Sequence, residues 1–148
     1  MDVLILRDPR ESSRKCSLTA LRGTSGIRFV NFHRERRLDA RGRILLHPEG
    51  EEIGPADRGK PLLLLDCAWR RVPDLLASVD GEPQARRLPR LATAYPRRNR
   101  EGADPERGLA SIEALYAALA LLGDPRPDLL GGYRFAGDFL AANPGLAR

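Results

Sequence analysis

The sequence is poor in the residues by which many enzyme classes announce themselves. It has two cysteines, Cys16 and Cys67, far apart and without a Cys-x-x-Cys spacing, so neither a disulfide framework nor a zinc site is implied and buried thiols are the default expectation. The two histidines, His33 and His47, lack metal-ligand spacing, a strand end or the surface suits each of them, and no metal enzyme is expected. No apolar run approaches membrane-spanning length. The N-terminus, MDVLILRDPRESS, puts an acid where a signal peptide needs positive charge and ends its apolar run after four residues, which points to a cytoplasmic protein. Lysine is almost missing, with Lys15 and Lys60 alone, and there is no internal repeat or low-complexity tract.

What remains is a chain of 148 residues, 42% hydrophobic and 30% charged, enough for one compact domain or one with a small appended lobe. Its net charge of +5 and pI near 9.9 are carried by arginine, whose planar fork suits phosphates and base edges. An RNA partner is one reading. A solvated arginine surface set by genome composition is the other.

The chain is organised around Leu62 to Trp69, LLLLDCAW. Four leucines, introduced by Gly59 and Pro61 and closed by Asp66, have the length and flanks of a strand buried on both faces of a parallel sheet. Ligands in such sheets sit beyond the carboxyl ends of the strands, where this strand carries Asp66, Cys67 and Trp69. The alternative is a core strand whose Asp caps the next helix and whose Trp packs on its stem.

The remaining segments fit around it. Val3 to Leu6 reads as a short buried strand ending at Asp8-Pro9; ESSRKCSLTALRG is polar, then helical, with Ser17 as a cap and Gly23 as a stop. A helix start of this kind suits a carboxylate or phosphate, or serves capping alone. Ile27 to Phe32 reads as a strand, and Ile44 to Leu46 is apolar before HPEGEEIGPADRGKP, a loop whose prolines and glycines predict no long regular structure beyond one turn at Pro55 to Arg58. Arg70 to Ser78 reads as a short helix, RRLPRLATAYP as extended, and RRNREGADPERG as an exposed basic loop. Two helices follow, Leu109 to Leu122 with Ile112, Leu115, Tyr116, Leu119 and Leu122 on one stripe, and Asp128 to Ala142 with Leu129, Leu130, Phe135, Phe139 and Leu140 inside. This order predicts an α/β fold with a helical C-terminal lobe and a ligand crevice between them.

Four stretches, DPRESSRKCSLTALRG, LLHPEGEEIGPADRG, LLLLDCAW and RRLPRLATAYP with the later GLASIEALYAALALLG, stand in an order that resembles the small-subunit ribosomal RNA aminocarboxypropyltransferases, relatives of the DTW-domain tRNA enzymes. The resemblance implies a SPOUT-like α/β domain with a trefoil knot over residues 1–92, and a helical lobe over 93–148 that closes the cofactor cleft. It implies transfer of the aminocarboxypropyl arm of S-adenosylmethionine to a ring nitrogen of a uridine-type base in RNA, rRNA before tRNA, releasing methylthioadenosine, and a monomer is the expected state. Residue by residue it sets Trp69 and Val72 around the sulfonium and its methyl, gives the Leu65 carbonyl to the ribose and Ser17 to the donor's carboxylate. Leu46, Pro48, Leu88 and Leu109 would surround the adenine, and Asp66 would accept the ring-nitrogen proton or attract the sulfonium. Tyr95 stands where the family has Asn, and Ala68 where Ser is common. A sulfonium is already a good leaving group, so such a protein has mainly to orient one arm, hold the cation on an indole face and bury another arm. Two rivals remain: a SPOUT-like methyltransferase using the same pocket, and a non-catalytic RNA- or nucleotide-binding module.

Overall fold

The computed structural model describes residues 2–10, 17–95 and 109–147. Its centre is a five-stranded, wholly parallel sheet, flanked by a two-stranded parallel ribbon and covered by helices. The strands are β1 (Val3–Arg7), β2 (Ile27–Asn31), β3 (Leu38–Asp39), β4 (Ile44–Glu52), β5 (Leu62–Asp66), β6 (Val79–Asp80) and β7 (Gln84–Arg87). The helices are α1 (Val72–Leu76), α2 (Ser111–Leu121) and α3 (Ala136–Ala142). The order in the large sheet is β2-β1-β5-β4-β7, and β3 pairs with β6.

The leucine run forms β5, which occupies the middle of the sheet as expected. It pairs with β1 from Val3 opposite Leu62 to Arg7 opposite Asp66, and with β4 from Ile44 opposite Leu62. Both of its faces are covered, which is why an unbroken apolar run suits it better than alternation. One face meets a large core built from Val3, Ile5, Ile44, Leu62 and Leu64 together with Ile112, Leu115, Leu119 and Phe139 from the helices. The other face meets a small core in which Leu4, Leu6, Leu45 and Leu63 pack on Leu75 of α1. The sheet and the C-terminal helices therefore share one interior. No helix of the described residues is long and apolar enough to cross a membrane.

Four local expectations change. The segment after Leu46 is not a loop: β4 continues through Pro48 and Gly50 to Glu52. It does so by bulging, since Leu46 and Glu51 both register with Arg86 of β7, and the bulge removes Pro48 from the ladder that proline cannot join. Gly50 lies so close to the partner strand that a Cβ there would fall 2.4 Å from the Ala85 carbonyl carbon. Second, the last helix is broken, with a 3₁₀ turn over Pro127–Leu130, glycines at 131 and 132, and α3 only from Ala136. Third, α2 is covered on nearly every side, Glu113, Ala117 and Ala118 included, instead of along one stripe. Fourth, Ser17 caps no helix of its own, because Thr19–Leu21 forms only a 3₁₀ turn without a side-chain cap. The stop at Gly123 is as expected, with φ at +98°. Cys16 and the basic loop with Arg97, Arg98, Arg100 and Arg107 lie outside the described residues.

Candidate functional site

Beyond the carboxyl end of β5 the chain turns sharply, and this turn forms one side of a cavity of about 740 Å³. Leu64 and Leu65 line it from the strand, and Cys67, Trp69 and Val72 from the turn. Trp69 begins a 3₁₀ turn that Val72 continues into α1, so both side chains leave the same short coil. Leu46 and Pro48 on the bulged part of β4 line it too. The opposite side comes from the extended residues Leu88 to Leu91 and from Leu109, Ser111 and Ala114 at the start of α2. Its volume falls within the range of about 300–1,000 Å³ usual for small-molecule sites.

Leu46, Pro48, Leu65, Trp69, Val72, Leu88 and Leu109, scattered over sixty-odd residues of sequence, thus line one cavity. Trp69 is 39% exposed, and its ring centroid lies 6.0 Å from that of His47, at a tilt of 46°. A partly exposed aromatic ring at the edge of such a cavity suits a flat or cationic group.

The other two candidates stand differently. Asp66 is buried at the end of β5 and absent from the cavity wall, although its neighbours Leu65 and Cys67 are on it. Its Oδ2 accepts a 2.7 Å hydrogen bond from Arg7 Nε, which ties the end of β5 to the end of β1. Arg7 in turn lies over the Phe29 ring of β2 at 4.8 Å, so one guanidinium links three strands. Ser17 is also off the wall. Its Oγ accepts the Ile112 N–H at 3.0 Å and so caps α2, ninety-five residues downstream. That contact sets Ser17 beside the α2 start, whose Ser111 does face the cavity.

The side of the cavity formed by Leu88 to Leu91 has no ladder of its own beyond Arg87. Two buried side chains hold it. Glu113, fully buried, accepts hydrogen bonds from the Thr93 hydroxyl (2.6 Å), the Ala94 amide (3.0 Å), the Ala110 amide (2.9 Å) and the Tyr133 hydroxyl (2.8 Å). Asn143 accepts from the Ala92 amide at 2.9 Å and donates to the carbonyls of Ala92 (2.7 Å) and Phe139 (2.9 Å). A third buried acid, Asp57, accepts from the Gly54 amide at 2.9 Å and from Arg86 Nε at 3.1 Å, which steadies β7 just before this wall begins. Burial pushes the Asp57 carboxyl up, but the Gly54 amide, Arg86 and Lys60 more than reverse this and hold it below the usual carboxylate range.

Sequence reasoning missed several cavity residues. His47, Glu52, Arg87, Arg90 and Ser111 line it as well, and Arg87 and Glu52 approach to 3.8 Å. His47 lies in β4, where a loop was expected, and the bulge that turns it toward Trp69 leaves no local signal. Ser111 had a faint one, since Glu113 three residues after Ala110 is half of a capping box. Cys67 is half-buried on the wall. No group of three potential metal ligands occurs among the described residues.

Neither a protein-family model nor a curated protein sequence matches the chain. A solved structure does match: the SAM-dependent rRNA:acp-transferase Tsr3 from Vulcanisaeta distributa superposes with a TM-score of 0.72 at 27% identity, over 97% of this chain and 79% of that one.

Proposed function

We propose that this protein is an S-adenosylmethionine-dependent rRNA aminocarboxypropyltransferase, a relative of Tsr3. One observation carries the reading: the likeness spans nearly the whole chain, and seven residues that the family resemblance assigns to the donor converge on one cavity of suitable size. The rival methyltransferase and the non-catalytic module have no comparable support.

The residues present fit the donor. Leu46, Pro48, Leu88 and Leu109 offer apolar walls for a purine, with Leu65 beside them for the ribose. The open indole of Trp69 suits a sulfonium, and Val72 with Trp69 fills the space a methyl would otherwise use to reach the acceptor. Ser111, at the start of an eleven-residue helix, suits the donor's carboxylate, and Ser17, assigned that contact by the family resemblance, holds the helix start from beside it. When bound, S-adenosylmethionine would supply a sulfur-activated carbon with a neutral thioether as its leaving group, and the residues of this cavity would orient that carbon toward the acceptor nitrogen, whose proton would pass to solvent.

For Asp66 the surroundings favour positioning over proton transfer. A general base must come within hydrogen-bond reach of its proton, about 2.6–3.2 Å or one water away. Asp66 is off the wall and engaged by Arg7, so we assign it the task of fixing the β5 end from which Trp69 is presented. We further read residues 1–92 as the donor-binding unit and 93–148 as the lobe that closes it, in a SPOUT-like sheet with a trefoil knot. The seating of β5 between β1 and β4 supports that class. We assign a monomer acting in the cytoplasm, with rRNA rather than tRNA as its substrate.

The test is a single chromatogram. Protein, S-adenosylmethionine and small-subunit rRNA from cells lacking the protein should yield methylthioadenosine and an rRNA nucleoside heavier by one aminocarboxypropyl group. Release of S-adenosylhomocysteine would establish the methyltransferase instead, and absence of both products would leave a binding module.

A further inference from the structure

Three parallel strands end level at one edge of the sheet, because Arg7 registers with both Asn31 and Asp66. The segments that follow β1, β2 and β5 therefore emerge side by side. Those after β5 build the donor cavity. Those after β1 and β2 build a second cavity of about 500 Å³ together with α1, lined by Pro9, Arg10, Phe32, His33 and Arg34, by Arg71 and Ala77, and by the carboxylates of Asp8 and Asp74. The two cavities share one partition: Trp69 and Val72 face the first, and Arg71 between them faces the second.

Charge within the second cavity is unevenly spent. Arg71 donates to Asp8 at 3.0 Å and to Asp74 at 2.7 Å, and its guanidinium lies 5.8 Å from the centre of the Phe32 ring. One arginine thereby holds both carboxylates and is fixed in the cavity lining, and the other oxygen of Asp8 accepts the Arg10 amide at 3.0 Å. Among the described residues the side chains of Arg10 and Arg34 make no hydrogen bond or ion pair, that of Arg10 acting on Asp8 through its charge alone, whereas Arg36 and Arg37 are occupied by the Asn31 carbonyl and by Asp80. The result, among the described residues, is two guanidinium groups with no side-chain hydrogen bond or ion pair, beside the apolar surface of Pro9, Phe32 and Ala77.

We propose that this second cavity holds a nucleotide of the substrate RNA flanking the acceptor, with a backbone phosphate between Arg10 and Arg34 and its ribose or base against Pro9 and Phe32. The inference rests on the transferase reading above, since it places the RNA strand along the edge where donor and acceptor must meet. Guanidinium forks suit phosphate oxygens, and the apolar surface suits the flat or carbon-rich remainder of a nucleotide. A free inorganic anion would use the arginines and leave that surface idle.

The experiment uses the full chain and two RNA probes, a fluorescent uridine-rich single-stranded dodecamer and small-subunit rRNA from cells lacking the protein. Arg10→Glu with Arg34→Glu is compared with Arg28→Glu, an exposed arginine at the opposite end of β2. The paired variant should weaken RNA binding at least tenfold and lower the slope of log affinity against log salt by about one to two. Arg28→Glu should weaken it less than threefold, and calorimetric affinity for S-adenosylmethionine should be unchanged in both. Arg34→Gln, which removes one charge from an exposed position, should show a smaller loss in the same direction. Equal losses at the two ends of β2, or wild-type RNA affinity in the paired variant, would overturn the proposal. Loss of methylthioadenosine release by the wild-type protein would overturn the transferase reading itself, and the two failures are read from different assays.

Discussion

The two sides of the donor cavity are held in place by different means. The side made by Leu64, Leu65, Cys67, Trp69 and Val72 grows out of the central strand, whose backbone is hydrogen-bonded to a neighbour on each flank. The facing side, Leu88 to Leu91, is irregular backbone hung on Glu113 and Asn143. Backbone ladders distribute their hold over many bonds, so a substitution on the first side should act where it is made. Side-chain anchors concentrate it, so the second side should be lost by changing a residue the ligand never touches.

The largest effect should come from breaking that second side. Glu113→Ala removes the acceptor of four donors, two backbone amides and two hydroxyls, and should lower stability by about 3–5 kcal/mol. Urea unfolding measures it; a loss below about 1 kcal/mol would mean that water replaces the carboxylate at little cost. Donor affinity should fall as well, although Glu113 is not on the cavity wall.

Trp69→Ala probes the first side and should do the reverse. Donor affinity should fall ten- to a hundredfold by calorimetry, about 1.4–2.7 kcal/mol, with stability nearly unchanged because the indole is already 39% exposed. Unfolding on the scale of the Glu113 variant would erase the distinction between the two sides.

Asp66→Asn sharpens the first side further. With Asp66 as a positioning residue, transfer should slow less than tenfold in single turnover, and S-adenosylmethionine affinity should hold. A drop of about 10²–10⁴ with intact affinity would restore it as the general base.

The smallest effect is a pH dependence. Asp57 titrates below its ordinary value in the folded protein, so the unfolded chain takes up protons first as pH falls. The stability it contributes is complete above about pH 4 and is lost as pH drops through its lower folded value. Urea midpoints measured from pH 5 to pH 3 should decline more steeply for the wild type than for Asp57→Asn.

Much of the first side was legible in sequence. An unbroken apolar run flanked by Gly59 and Pro61 needs cover on both faces wherever it lies, and that requirement alone puts Leu62 to Asp66 in the middle of a parallel sheet. The residues after it then stand at a strand end, where ligands are found. Little of the second side was legible. Glu113 looks like a helix residue with a local partner, and nothing near it in sequence announces Thr93, Ala94 or Tyr133.

By itself the sequence determined the α/β class, the central strand, the turn that carries Trp69, and the helical tail ended by Gly123, because each follows from periodicity or from the backbone limits of a residue and its immediate neighbours. Only the tertiary structure decided that β4 runs on past Pro48, that Ser17 caps a helix ninety-five residues away, and that Asp66 turns to Arg7 instead of to the cavity. Those outcomes depend on which buried polar group finds which partner, and burial leaves every such group bound to whatever the fold brings within reach, however distant in sequence.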